Sequence, residues 1–95
     1  MFIHIFGFRW RPEASDSQKK SAKEAILAFR GAIPGLIDVH VGENISPRNQ
    51  GFTFAGLMTF TNKAAADAYT IHPQHQALLE WLVPLIGAVE LDFEA

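Results

Sequence analysis

The sequence predicts one α+β domain, residues 1–95, of β-α-β-β-α-β order, whose sheet pairs with that of a second copy to make a dimeric α/β barrel. Three observations carry the prediction. Segments with a two-residue apolar alternation are interleaved, in that order, with segments of helical spacing. The first strand is apolar on both faces, although helices packed on one side of an antiparallel sheet cover only one of them. And 95 residues of 48% hydrophobic composition, with eight Phe and no Cys, carry more apolar surface than so short a chain hides, with no disulfide to compensate.

The first strand runs from Phe2 to Trp10 and ends at Arg11-Pro12. Alternation puts Phe2, His4, Phe6, Phe8 and Trp10 on one face and Ile3, Ile5 and Gly7 on the other. Ser15-Asp16-Ser17-Gln18 has the form of a capping box, so a helix starts there. Ala22, Ala25, Ile26, Phe29 and Ile33 make its apolar stripe, and Pro34-Gly35 stops it. A second strand spans Leu36 to Gly42, and a loop rich in turn formers (Asn44, Ser46, Pro47, Asn49) leads to a third strand, Phe52 to Phe60. Asn62 caps a short helix through Tyr69. Pro73 biases His72 away from helical geometry and suits the first turn of another helix, which heads for Gly87 with Pro84 as a kink or an early stop. Val89, Leu91 and Phe93, alternating with Glu90, Asp92 and Glu94, make the last strand. This is the ferredoxin-like, split-βαβ arrangement. The helices cover the even-numbered face of the first strand, and the face bearing Ile3, Ile5 and Leu57 is left for the partner. Burying roughly 500 Å² of apolar surface per subunit there is worth about 12 kcal/mol before association costs.

Composition narrows the function classes. A formal charge of −2 and a pI near 6.0 leave no basic footprint for nucleic acid, so none is expected as a partner. No apolar run approaches the roughly 20 residues that span a bilayer, so no membrane is expected either. The apolar start, Met1 to Ile5, lacks a basic n-region and a cleavage site and reads as a strand, which makes the cytoplasm the default location.

Four segments together resemble the stress-responsive dimeric A/B barrel (Dabb) family: Phe2-Ile3-His4-Ile5, the turn Ile33-Pro34-Gly35-Leu36, the loop from Gly42 to Phe52, and Ala68-Tyr69-Thr70-Ile71-His72-Pro73-Gln74-His75. The resemblance covers essentially the whole chain, and Tyr-x-x-His-Pro-x-His is its most specific part. It implies a ferredoxin-like protomer and a homodimer. A plant member of that family closes a linear polyketide by a cofactor-free aldol condensation, using a Tyr, the second His of the same segment and a pocket His on the first strand. Motif for motif, these fall on Tyr69, His75 and His4. The chain departs from that member at Ala22, Lys23 and Ile26, where the other has aromatic residues, and at Phe54, where it has a further histidine.

These groups suit proton transfer without a cofactor, and none is expected. A neutral imidazole in an apolar pocket takes a proton from carbon next to a carbonyl, and a Tyr hydroxyl donates to the oxyanion that forms. His4, Tyr69 and His75 are the expected catalytic residues, with Phe6, Phe8, Ile26, Phe54, Met58, His72, Leu79 and Leu82 lining the pocket around a small hydrophobic ligand. His72, His75 and His4 could also make a three-histidine metal site, but Pro73 between two of them and the lack of an adjacent carboxylate argue against it, and no metal is expected. His40 reads as a surface residue, and Arg48 either guards a pocket mouth or belongs to a simple connecting loop. The readings that stay open are a cyclase- or lyase-type enzyme acting on a small hydrophobic carbonyl compound, a non-catalytic ligand-binding or stress-response dimer, and a cofactor-free monooxygenase.

Overall fold

The computed structural model describes residues 1–95. Its elements are β1 (Phe2–Trp10), α1 (Asp16–Leu27), β2 (Leu36–Glu43), β3 (Phe54–Phe60), α2 (Lys63–Thr70), α3 (Pro73–Leu82), a 3-10 turn (Val83–Leu85) and β4 (Ile86–Glu94). The four strands form one antiparallel sheet in the order β2-β3-β1-β4, a ferredoxin-like fold. β1 therefore lies inside the sheet while β2 and β4 are its edges. Phe6 and Phe8 of β1, Val39 of β2 and Phe54, Met58 and Phe60 of β3 meet Ala22, Ile26, Phe29, Leu78 and Leu82 in one core between sheet and helices. No helix is long and apolar enough to cross a membrane.

The helix starts follow the local chemistry. At α1 the Ser15 hydroxyl accepts from the Gln18 amide at 3.1 Å while the Gln18 side chain accepts from the Ser15 amide at 2.9 Å. Asn62 caps α2 by accepting from the Ala65 amide, and Pro73 opens α3. Of the ends, those of α1 and the start of β3 differ from expectation, while α3 takes the early stop expected at Pro84. α1 stops at Leu27: beyond it the Phe29 and Arg30 amides bond to the Ile26 and Leu27 carbonyls in tighter turns, and Gly31 at φ +80° then redirects the chain, which still carries Phe29 and Ile33 into the core. α3 stops at Leu82 because Pro84 lies in the 3-10 turn, so β4 begins at Ile86, three residues before Val89. β3 begins at Phe54, after Gln50 and Gly51 turn the chain at φ 52° and 86°.

Gly56 sits opposite Phe6 across the β1–β3 ladder, and a Cβ there would stand 2.1 Å from the Phe6 ring. The missing side chain is what lets that ring lie over β3. On the other face of the sheet, Ile3, Ile5 and Leu57 are half-buried, and the cross-strand neighbours of β1 on β4 are exposed: Val89 39%, Leu91 60% and Phe93 51%. These residues form a continuous apolar stripe with no helix over it.

Candidate active site

Three elements bring the site together. Even-numbered side chains of β1 point at the helices, placing His4 beside Phe6, with ring centroids 5.4 Å apart. The last turn of α2 places Tyr69. The chain then bends at Ile71-His72, and His75 in the first turn of α3 comes back against Tyr69, ring centroids 4.2 Å apart and 31° from parallel. His4 lies on the other side of Tyr69 at 6.5 Å. Phe29 props the group from below, edge-on to Tyr69 at 5.5 Å and to His75 at 6.2 Å. The three residues expected from the sequence thus share one place.

Their protonation follows from their partners. The Nδ1–H of His75 donates to the Thr70 carbonyl at 3.0 Å, since a carbonyl only accepts; Nε2 is left with a free lone pair. The Gln76 side chain donates to the same carbonyl at 2.8 Å and fixes it. Burial pushes the His75 pKa below the ordinary imidazole range, the Thr70 bond opposes this, and the nearby His4 adds to the depression. His75 is therefore a neutral base at neutral pH. His4 donates from Nδ1 to Asp92 Oδ1 at 2.6 Å, which holds its ring and leaves its Nε2 unprotonated in the neutral form. Tyr69 is only 8% exposed, and its hydroxyl takes no hydrogen bond within the chain although no fully enclosed side-chain oxygen is left without a partner; the hydroxyl therefore reaches the cavity. Burial, reinforced by the charge of Glu90, pushes the phenol pKa well above its usual value, so Tyr69 stays protonated as a donor.

The three residues stand in the walls of two adjoining cavities. One, of about 160 Å³, is mostly apolar, with Phe6, Phe8, Ile26, Leu79 and Leu82 among its lining residues. The other, of about 150 Å³, is polar and adds Asp67, Thr70 and Asp92. His4, Tyr69, His75 and Glu90 belong to both. Three expected lining residues lie elsewhere. Met58 is wholly buried and Phe54 is stacked on Phe8 at 5.3 Å, so both support the wall from the core. His72 spends its Nδ1 on the Gln74 amide at 3.1 Å and caps α3.

Glu90 and Asp92 were not among the expected site residues, and the sequence offered no carboxylate next to the histidines. The signal lay in the phase of β4: register sets Glu90 opposite Phe6 and Asp92 opposite His4, on the helix side. No group of three His, Asp or Glu side chains is arranged to hold a metal ion. Arg48 stands away from the site: its loop folds toward the uncovered face of the sheet, near Ile5, Val89 and Leu91, and is tied there by Arg9, which lies over the Phe52 ring and donates to the Gln50 carbonyl. His40 is on that same face, paired with Asp38 at 2.9 Å.

Comparison with known proteins agrees with this geometry. The chain is 26% identical over 74 residues to olivetolic acid cyclase of Cannabis sativa, a match spanning 76% of this chain and 73% of that protein. A dimeric ferredoxin-like protein of unknown function from Jannaschia sp. CCS1 superposes with a TM-score of 0.87 at 27% identity, over 99% of this chain and 98% of that one. A protein from Arabidopsis thaliana, At3g17210, has the same fold, with a TM-score of 0.88 at 19% identity over 100% and 95% of the two chains. The model of the stress responsive A/B barrel domain matches residues 2–95, and with strand order, helix placement and the Tyr-x-x-His-Pro-x-His bend all in place, the chain belongs to that family, Dabb.

Proposed function

We propose that this chain works as a homodimer and as a cofactor-independent enzyme that moves a proton at carbon next to the carbonyl of a small hydrophobic compound, in a cyclase- or lyase-type reaction. The observation that carries the reading is a neutral, hydrogen-bond-anchored His75 packed on Tyr69, whose hydroxyl has no partner, at the wall of an apolar cavity. His75 Nε2 takes the proton, and the Tyr69 hydroxyl donates to the oxygen on which negative charge collects. Asp92 keeps the His4 ring in place across the cavity. The volume of about 160 Å³ supports a ring-sized substrate, since a cavity of about 150 Å³ accommodates benzene. The relation to olivetolic acid cyclase supports carbonyl chemistry. The apolar stripe on the free sheet face and the dimeric relative from Jannaschia support the homodimer.

The test is deuterium exchange at the α-carbons of a panel of small aryl and alkyl ketones and aldehydes, followed by NMR. His75→Ala is expected to lose about 10²–10⁴-fold in exchange rate, and Tyr69→Phe about 10²–10³-fold. Neither should alter the oligomeric state. Ligands that bind without any catalysed exchange would favour the non-catalytic reading; exchange unaffected by His75→Ala would remove that residue from the mechanism.

A further inference from the structure

Resting on the reading of this cavity as a carbonyl site, we infer that Glu90 makes it select by charge, accepting uncharged and cationic compounds and turning away carboxylates and other anions of the same shape. Glu90 stands on β4 opposite Phe6, on the helix side of the sheet, and is the one carboxylate in the walls of both cavities. The other two acids of the polar cavity are engaged and lie outside the apolar one. Asp67 is paired with Lys63 at 2.9 Å, and Asp92 keeps its charge but spends Oδ1 on the His4 ring at 2.6 Å. Glu90 takes part in no ion pair and no side-chain hydrogen bond, and neither wall contains a Lys or an Arg.

The consequences for a ligand follow from position. Tyr69, more than nine-tenths buried, offers its hydroxyl to whatever enters. A ketone or aldehyde oxygen accepts that hydrogen bond and brings no charge. A carboxylate accepts it equally well but then faces Glu90 with no cation to offset the repulsion, and His75, being neutral, supplies none. An amidinium or ammonium finds in Glu90 the one carboxylate in the wall of the apolar cavity, and one with no ion-pair or hydrogen-bond partner of its own. The field of Glu90 reaches the working groups, because it raises the proton affinity of both Tyr69 and His75. At separations of several Å on a partly wet rim, one such charge is worth about a tenfold preference, and salt weakens it.

Three probes of one shape test this without turnover: acetophenone (neutral), benzoate (anionic) and benzamidine (cationic), titrated into the intact protein at pH 8 and low salt. Binding is read from the imidazole resonances of His4 and His75. Acetophenone and benzamidine are expected to bind about tenfold more tightly than benzoate, with the gap shrinking to about threefold or less in Glu90→Gln and in 0.5 M salt. Glu90 lies exposed on an edge strand, so a thermal melt matching the parent is expected for the variant. Benzoate binding as tightly as acetophenone in the parent, or a ratio unchanged by Glu90→Gln, would overturn the role of Glu90 while leaving the cavity as a ligand site. If no probe moves either histidine, the cavity reading fails and the selection with it.

Discussion

The two faces of the sheet are nearly equal in apolar content along β1, yet they end in opposite surroundings. On one, Phe6 and Phe8 disappear under the helices; on the other, Ile3 and Ile5 face outward beside Leu57. β4 sharpens the contrast, because it points its acids (Glu90, Asp92, Glu94) toward the helix side and its apolar residues (Val89, Leu91, Phe93) toward the uncovered side. A sheet with one solvated face would be built the other way round. The lesson is that the uncovered face suits contact with protein, whereas the helix side at the edge strand is left open and polar, beside the two cavities. One strand thus carries the interface on its odd residues and the mouth of the site on its even ones.

The largest effect is expected at Ile5, near the middle of the apolar stripe. Ile5→Asp is expected to convert a dimer into monomers that melt at least about 10 °C lower, seen by sedimentation and calorimetry. A parent protein that sediments as a compact monomer at micromolar concentration would show that the uncovered face has no partner copy. A smaller effect is expected on the covered face at Gly56. Gly56→Ala would push the Phe6 ring by more than an ångström, costing about 1–3 kcal/mol in denaturant unfolding and narrowing the apolar cavity, since Phe6 is part of its wall. A stability equal to the parent's would mean that the ring turns aside freely.

The smallest effect is one of pH and is confined to the site side. The pKa of His75 lies below its ordinary 6.5, so near and somewhat below that pH the unfolded chain binds more protons than the folded one. The contribution of this residue to stability is therefore complete above pH 6.5 and declines as the pH falls below it. His75→Gln should flatten that part of the stability–pH curve. In the catalysed exchange reaction, the same depression keeps the base unprotonated, and the rate should hold level down through pH 6.5 before falling. A rate that halves at or above pH 6.5 would contradict a buried, neutral His75.

Much of this was legible in the residues alone. The phase of β1, the capping box at Ser15-Gln18, the Asn62 cap and the His72-Pro73 bend are each encoded within a few positions, and the structure places them where that local chemistry puts them. The meeting of Tyr69 and His75 belongs to the same class, because they are six positions apart with one bend between them. Element ends were less legible: α1 gives way after Leu27 to tighter turns and a left-handed Gly31, although the apolar stripe continues through Phe29 to Ile33.

The amino-acid order by itself determined which side chains share a face, since that is set by a period of about 2 residues in a strand and about 3.6 in a helix. Only the tertiary structure decided which strand lies beside β1 and in what register. That pairing set Asp92 against His4 across 88 positions of sequence and left Glu90 alone at the mouth of the cavity. Register is a property of the whole packed sheet: the alternation within β4 groups its acids on one face, but shifting the strand by one residue would exchange them for its oily residues, and only the pairing with β1 puts the acids on the helix side.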